Sequence, residues 1–194
     1  MEFPYKIILA SNSPRRRELL GGLGIDFTVK VIGGIDESWP HDLKGEDIPL
    51  YISREKAAPY KATIAPDELV ITADTIVYVD GEVLGKPADE ADAKSMLRMI
   101  SGRWHEVITG VTLMTSERER SFAVTTKVRF CNLTDDEINR YVESGLPMDK
   151  AGAYGIQEWI GYVGVEAIEG SYFNVVGLPV QRLYRELLNF CKNE

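Results

Sequence analysis

The sequence predicts an α/β fold built on a mixed β-sheet, either in one lobe or in two lobes around a cleft. Three observations predict it. Residues 5–10 form an apolar run typical of a buried strand, and a capped helix start follows them directly. Residues 69–84 are typical of a hairpin, because Asp80-Gly81 separates two apolar strands. Strands and amphipathic helices then alternate along much of the chain, which is the pattern of an α/β domain.

The first half of the chain adds two helices and a strand. In order, we predict a helix over residues 14–22, a strand over 26–32, a loop over 33–45 and a helix over 46–63. Ser13 is a suitable cap for the first helix, and Pro14 suits its first position. Gly21-Gly22 or Gly24 ends that helix.

The second half is predicted from similar local signals. In order, we predict a helix over residues 89–100, strands over 105–114 and 120–130, a helix over 135–144, an irregular glycine-rich region over 145–179 and a helix over 179–191. Ala93 and Leu97 belong to one apolar face, Thr134 and Glu137 form a capping box, and Pro179 opens the last helix. Because no repeat or linker divides the chain, residues 1–194 are expected to be one domain.

Composition excludes several classes of protein. The 194 residues carry a net charge of -8, which argues against general binding to nucleic acid or to an anionic membrane. Cys131 and Cys191 lie far apart, so neither a disulfide framework nor a structural zinc site is expected. With no secretory leader and no run of 18 apolar residues, we expect a soluble cytoplasmic protein.

An arginine cluster lies where helix electrostatics disfavour it. Arg15, Arg16 and Arg17 fall in the first turn of the predicted helix, at the positive end of its dipole. They are either a solvated helix face or part of an anion site. In an anion site, the helix N–H groups, the Ser11 and Ser13 hydroxyls and the guanidinium groups would bind together, and a triphosphate is the natural ligand.

Three carboxylates are candidates for metal binding or general-base catalysis. Asp74 interrupts an apolar strand, so it is either a structural aspartate at a turn or a metal ligand or general base. Asp36 and Glu37 are loop carboxylates that are either solvated or available as further ligands. Magnesium often uses only one or two carboxylates together with substrate phosphates.

Two lysines and a glycine-rich segment complete the candidates. Lys56 and Lys86 are either surface lysines or phosphate ligands, and Lys86 is held between glycine and proline. In residues 149–157, Tyr154 and Gln157 belong either to a packed glycine loop or to a base-binding loop. The P-loop, dinucleotide-binding and nucleophile-elbow motifs are absent. The combination nevertheless suits hydrolysis of a nucleoside triphosphate.

Seven motifs occur in order along the chain. They are LASNSPRRRELL (9–20), REKA (54–57), ADT (73–75), LGKP (84–87), SGRWHEVITGV (101–111), DKAGAYGIQ (149–157) and IEGSYFNVVGLP (168–179). Together they resemble the Maf-like nucleoside triphosphate pyrophosphatases over nearly the whole chain. The resemblance implies an elongated mixed sheet flanked by helices, with two lobes around a deep cleft, related to the inosine triphosphate pyrophosphatases. It also implies cleavage between the α- and β-phosphates with a divalent cation, Mg²⁺ or Mn²⁺.

The resemblance also assigns roles to individual residues. It makes Asp74 the proton acceptor and, with Glu37, a metal ligand. Arg15, Thr75 and Gln157 match the specificity positions, and this trio resembles the subgroup that acts on dTTP and UTP. The remaining phosphate-binding positions are Ser11, Arg16, Lys56 and Lys86.

Some features depart from the family pattern or leave alternatives open. Thr72 and Glu158 each stand where the family often has glycine, and Glu158 adjoins the segment expected to contact the base. Two other functions remain: a nucleotide-binding regulator of septum formation without turnover, and an inosine or xanthosine triphosphate pyrophosphatase. Because family members are often dimers, a homodimer is among the expectations, although no surface stripe in the sequence indicates one.

Overall fold

The structure, a computed structural model, describes residues 3–192 and is a mixed α/β fold. The strands are β1 (Lys6–Leu9), β2 (Phe27–Val29), β3 (Glu68–Val79), β4 (Glu82–Leu84), β5 (Trp104–Met114), β6 (Glu119–Phe130) and β7 (Val165–Glu169). The helices are α1 (Pro14–Gly21), α2 (Asp47–Ala57), α3 (Glu90–Ile100), α4 (Asp135–Glu143), α5 (Trp159–Gly164), α6 (Tyr172–Val176) and α7 (Val180–Lys192). The strand order is β2-β1-β3-β5-β6-β7, with β4 paired to β3.

The chain forms two compact units. The first contains residues up to Asp74, residues 109–124 and the segment from Gly177 onwards. The second contains residues 75–108 and 125–176. Each unit has its own buried apolar core.

The first unit contains the parallel strands β1, β2 and β3, of which β1 is buried on both faces from Ile7 onwards. β1 pairs in parallel with both β2 and β3, and Leu9 lies opposite Ile71 of β3. Leu9 and Ile71 join the core that includes α1 and α7, whereas Ile8 joins Tyr60, just after α2, in a core on the other face. Helices on both faces explain why β1 is a continuous apolar run.

The second unit contains two antiparallel pairs and a helical layer. β3 and β4 form the predicted hairpin, in which Asp80 and Gly81 have φ angles of 52° and 88°. Two successive positive φ angles are the mark of a type I′ turn, which is why the Asp-Gly pair predicts it. β6 pairs with β7, and α3 and α4 contribute Leu97 and Ile138 to the core.

Most predicted elements are confirmed, and three are corrected. The strand predicted over 26–32 covers only Phe27–Val29. The predicted helix over 46–63 ends at Ala57, and a 3-10 helix covers Ala58–Ala62, where Pro59 lacks the N–H group for a helical bond. Residues 145–179 are irregular only in part: up to residue 158 they contain two short 3-10 helices, Leu146–Asp149 and Ala151–Ala153, and α5, β7 and α6 follow. The latter three are five or six residues long and depend on tertiary packing.

The described residues bear on two features considered from the sequence, a membrane-spanning helix and a disulfide. Between residues 3 and 192, none of the helices combines the length and apolarity needed to cross a bilayer. In the same part of the chain, Cys131 and Cys191 are not joined by a disulfide.

Candidate functional site

The start of α1 has the predicted capped geometry. Ser13 is the N-cap, and its hydroxyl accepts a hydrogen bond from the Arg16 N–H group at 3.4 Å. The Ser13 N–H group in turn donates to the Ser11 hydroxyl oxygen at 3.2 Å. The first turn contains no acidic residue. It contains Arg15 and Arg16, which are both half-buried. The positive end of this helix therefore carries extra positive charge that its own side chains do not balance.

Arg16 connects this helix start to two other segments of the first unit. Its Nη1 donates to the Ala73 carbonyl at 2.8 Å, and its Nε donates to the Gly177 carbonyl at 2.9 Å. Ala73 directly precedes Asp74 in β3, so the bond holds the arginine cluster beside the predicted proton acceptor. Arg16 therefore has a structural role in addition to the predicted phosphate-binding one.

Several charged groups affect the pKa of Arg16. Burial of the guanidinium lowers the pKa of Arg16, and the positive charge of Arg15 lowers it further. The carboxylates of Asp74 and Glu37 act in the opposite direction and raise that pKa. The Arg16 guanidinium thus interacts electrostatically with one cation, Arg15, and two carboxylates, Asp74 and Glu37, all in the first unit.

Lys56 joins the two candidate carboxylates. Its Nζ lies 2.8 Å from Asp74 Oδ1 and 3.2 Å from Glu37 Oε1. The side chains of Lys56 and Asp74 are only 15% and 11% exposed, whereas Glu37 is exposed on its loop. The interaction between Lys56 and Asp74 is therefore a largely desolvated ion pair with defined geometry.

A buried hydrogen bond helps to set the distance between Lys56 and Asp74. Thr72, which is fully buried two residues before Asp74, donates its hydroxyl to the Ser53 carbonyl of α2 at 2.7 Å. Close packing reinforces this contact, because a Cβ on Gly110 of β5 would lie 2.3 Å from the Pro49 backbone of α2. The departure at Thr72 thus strengthens the attachment of β3 to the helix that carries Lys56.

The two loop carboxylates, Asp36 and Glu37, contact different groups. Asp36 accepts hydrogen bonds from the Ser38 N–H group at 2.9 Å and the Ser38 hydroxyl at 2.8 Å. These bonds lower the pKa of Asp36 and commit it to a local turn. Glu37 instead reaches Lys56. Of the two, Glu37 is the one the structure brings to Asp74.

The other predicted site residues belong to the second unit. Thr75 follows Asp74 along β3 and is half-buried. Lys86 is exposed after β4, and the neighbouring Gly85 carbonyl accepts a hydrogen bond from Gly152 at 3.0 Å. Within this unit, the segment that bears Lys86 is therefore attached to the glycine loop that precedes Gln157.

Gln157 has an unusual environment. Its side-chain oxygen Oε1 is buried and has no hydrogen-bond partner among the described residues. A buried amide oxygen without a donor is energetically unfavourable. A ligand that supplied an N–H donor would remove that cost.

Sequence reasoning missed several residues that organise this region. Thr72 was seen only as a departure, and the carbonyl of Gly177 was not considered. Gly177 has a φ of 132°, a backbone conformation that residues other than glycine rarely adopt, so the glycine itself is the one local sign in the sequence. The bond from Arg16 to that carbonyl spans 161 positions in the sequence, so no local pattern could reveal it.

Comparison with known sequences gives strong matches. The family model described as Maf-like protein matches residues 6–190. A dTTP/UTP pyrophosphatase of Bacteroides fragilis is 62% identical over 183 residues, which cover 94% of this chain and 95% of the relative. Proteins of the same name from Parabacteroides distasonis and Porphyromonas gingivalis are 59% and 50% identical, and the matches cover 96% of this chain and 96% and 94% of those relatives.

Solved structures with low sequence identity share the fold. A Ham1 protein of Staphylococcus aureus has a TM-score of 0.52 at 17% identity, covering 93% of this chain and 99% of that one. A HAM1 protein of Coxiella burnetii has a TM-score of 0.51 at 15% identity, covering 95% and 99%. At these identities the similarity establishes the architecture only.

Proposed function

The chain belongs to the Maf-like protein family, and from that premise we propose that it is a nucleoside triphosphate pyrophosphatase that hydrolyses dTTP and UTP to the monophosphate and pyrophosphate. Relatives at 50% to 62% identity carry that name, and they match over nearly their whole length. The alternatives of a regulator without turnover and of an inosine or xanthosine triphosphate pyrophosphatase are not favoured by these relatives.

One observation in the structure supports the proposal most directly. Arg16 donates to the carbonyl of Ala73 and so attaches the cationic start of α1 next to Asp74. A site that binds phosphates needs positive charge and N–H donors, and a hydrolytic site needs a base beside the reacting phosphorus. Because Arg16 is bonded to Ala73, the positive charge of α1 and the carboxylate of Asp74 lie close together within the first unit.

The reaction forms one bond to phosphorus and breaks another. A water molecule attacks the α-phosphorus, its proton passes to Asp74, and the bond between the α-phosphorus and the bridging oxygen breaks. The pyrophosphate leaves with that oxygen. Because Lys56 holds Oδ1 of Asp74 at 2.8 Å, we assign the proton to the other carboxylate oxygen, Oδ2.

Cationic side chains stabilise the charge that develops on the leaving group. Arg15 and Arg16 are at the start of α1 and Lys56 lies beside Asp74, so each can neutralise phosphate oxygens in a partly desolvated setting. The Ser11 hydroxyl, in the same segment, is a further phosphate ligand in this proposal. Lys86, from the second unit, keeps the phosphate-binding role that the family resemblance implies.

The donors present suit a divalent cation. Asp74 and Glu37 both lie within reach of the Lys56 ammonium, and carboxylates are the ligands that Mg²⁺ and Mn²⁺ prefer. Among residues 3–192, no group of three or more His, Cys, Asp or Glu side chains could hold a metal ion. Two carboxylates would therefore share the cation with phosphate and water. When bound, the cation would supply positive charge to the phosphate oxygens.

Selectivity for pyrimidines is assigned to Gln157 together with Arg15 and Thr75. The side-chain amide of Gln157 both donates and accepts, which suits the O4 and N3–H edge of uracil or thymine. Its buried Oε1, which lacks a donor, could accept from N3–H. This complementarity favours UTP and dTTP over purine triphosphates.

We also propose that the enzyme works in the cytoplasm on free nucleotides, without nucleic acid or membrane partners, and forms a homodimer as expected for its family. The net charge of -8 supports the absence of a nucleic-acid partner. Light scattering of the purified protein tests the assembly. A mass near twice 21.7 kDa is expected, and a mass near 21.7 kDa would contradict the dimer.

A nucleotide panel with detection of pyrophosphate tests the function. With Mg²⁺ or Mn²⁺ present, dTTP and UTP should yield equal amounts of monophosphate and pyrophosphate, and ATP, GTP and ITP should react far more slowly. Binding of dTTP without any pyrophosphate release would indicate a regulator. Faster reaction with ITP or XTP would indicate the other class of pyrophosphatase.

A further inference from the structure

A buried ion pair lies beside Gln157 in the second unit. Lys150 Nζ is 2.9 Å from Glu158 Oε1, and it also donates to the Leu146 carbonyl at 2.6 Å. The Lys150 and Glu158 side chains are only 7% and 15% exposed. Glu158 directly follows Gln157, so this ion pair fixes one end of the segment that presents the amide.

Tyr141 extends the ion pair into a network. Its hydroxyl donates to Glu158 Oε2 and accepts a hydrogen bond from the Gly155 N–H group at 3.0 Å. Burial and the neighbouring Glu158 carboxylate raise the pKa of Tyr141, so the hydroxyl stays protonated and remains a donor. Both oxygens of the Glu158 carboxylate are therefore occupied, one by Lys150 and the other by Tyr141.

The network packs directly against the backbone that leads to Gln157. A Cβ on Gly155 would lie 2.7 Å from Glu158 Cδ and 2.9 Å from Lys150 Cε, so a larger residue there would displace the side chains of the ion pair. Such contacts leave the backbone before Gln157 little room to move. The segment is thus held by hydrogen bonds, by charge and by close packing.

Gln157 itself lacks these restraints at its functional atom. Its Oε1 is buried and has no donor within the described residues, although Gly155 before it and Glu158 after it are both held by the network. An unsatisfied polar atom on an ordered segment is a common mark of a ligand site. The network of Lys150, Glu158 and Tyr141 therefore orders the segment, while Gln157 Oε1 can accept a hydrogen bond from a ligand.

We propose that Lys150, Glu158 and Tyr141 are positioning residues that set the selectivity of the enzyme for pyrimidine bases. They act through Gln157 by holding its amide in the orientation that matches the base edge. This inference rests on the proposed function, because it assigns a cause to pyrimidine selectivity. It also gives a role to Glu158, which directly follows Gln157.

The experiment compares Glu158→Gln with the matched variant Glu166→Gln. Glu166 forms an exposed 2.8 Å ion pair with Arg129 in the same unit, so its substitution removes an equal charge away from the network. For Glu158→Gln, we expect KM for dTTP and UTP to rise about 10-fold, since small misplacements of a binding group have effects of this order. We expect kcat to stay within about 2-fold, and Glu166→Gln to resemble the wild type.

Inorganic triphosphate separates positioning from general damage. It has phosphates and no base, so its inhibition constant against dTTP hydrolysis should not change in Glu158→Gln. A structural collapse of the site would weaken triphosphate and dTTP alike. That outcome would overturn the proposal.

A second variant keeps the test informative if Glu158→Gln does not fold. Tyr141→Phe removes one hydroxyl and keeps the ring, and it should raise KM for dTTP and UTP about 3-fold with the triphosphate constant unchanged. Combining it with Glu158→Gln should give less than the product of the two effects, because both act through one carboxylate.

Unchanged KM values for dTTP and UTP in folded Tyr141→Phe and Glu158→Gln would overturn the proposal while leaving the proposed function intact. A wild-type enzyme without preference for dTTP and UTP would overturn the proposed function itself, and this inference with it. The two failures are therefore distinguishable.

Discussion

Lowering the pH from 7 to 5 should destabilise the protein through one buried histidine. His105 is 2% exposed, its Nε2 is 2.7 Å from the Tyr154 hydroxyl, and its Nδ1 has no partner among the described residues. The rings of Phe130 and Tyr154 lie 5.6 and 5.4 Å from its own. Protonation would place a charge among aromatic rings with no acceptor for the new N–H group.

The size of the effect follows from the two pKa values of His105. Burial lowers its pKa from 6.5 to about 4. Between these values the unfolded chain binds more protons than the folded one, so stability falls as the pH drops through this window. For this pair of values, the free energy of unfolding should decrease by about 2 kcal/mol between pH 7 and pH 5.

Urea unfolding at half-unit steps from pH 7.5 to pH 5 measures this decrease. His105→Asn keeps a polar group for Tyr154 and removes the titration, so its unfolding free energy should vary less with pH, by about 2 kcal/mol over pH 7 to 5. The matched variant His41→Asn changes the other histidine, which is exposed, and should behave as the wild type. Equal pH dependence in the wild type and His105→Asn would refute the reasoning.

Three substitutions test the site and its support. Gln157→Ala should raise KM for dTTP and UTP more than for GTP, and equal losses on all three would contradict a role in base recognition; Gln181→Ala, at an exposed position of α7, is the control. Thr72→Val should lower the free energy of unfolding by about 1 kcal/mol, because it deletes a buried 2.7 Å hydrogen bond, and an unchanged urea midpoint would contradict this. Arg16→Met should reduce kcat/KM for dTTP at least about 10-fold and destabilise by about 2 kcal/mol through loss of its hydrogen bonds to the Ala73 and Gly177 carbonyls, whereas exposed Arg17→Met should do neither.

Features with strong local signals were predictable from the sequence. Ser13 and Pro14 mark the start of α1, and the Asp80-Gly81 pair marks the hairpin. Thr134 and Glu137 form the expected capping box of α4. In each case the side chains that define the element contact backbone only a few residues away, so a short window of sequence contains the cause.

Elements that depend on distant packing were not predictable in the same way. β7 pairs with β6, and half-exposed or exposed residues dominate it, so it has no apolar run to reveal it. α5 has six residues, two of them glycine, and would not be predicted as a helix from propensity. Gly161 is required there because a Cβ would lie 1.9 Å from the Ile156 carbonyl oxygen, which is visible only in the fold.

The candidate site shows the same division. The arginine cluster stood out because a helix start disfavours cations, and Asp74 stood out because it interrupts an apolar strand. The sequence did not reveal which groups these side chains contact. The ion pair of Lys56 with Asp74 and the bonds from Arg16 to two carbonyls join positions far apart in the chain, so only the structure could assign them.

The most direct measurement of the central claim is the rate of pyrophosphate release from dTTP by Asp74→Asn. The substitution keeps the size of the side chain and removes the proton acceptor, so we expect kcat to fall by about 10²- to 10⁴-fold, the usual contribution of a general base. Asp36→Asn, which changes the carboxylate turned toward Ser38, should keep the wild-type rate. A folded Asp74→Asn enzyme that releases pyrophosphate at the wild-type rate would contradict the account.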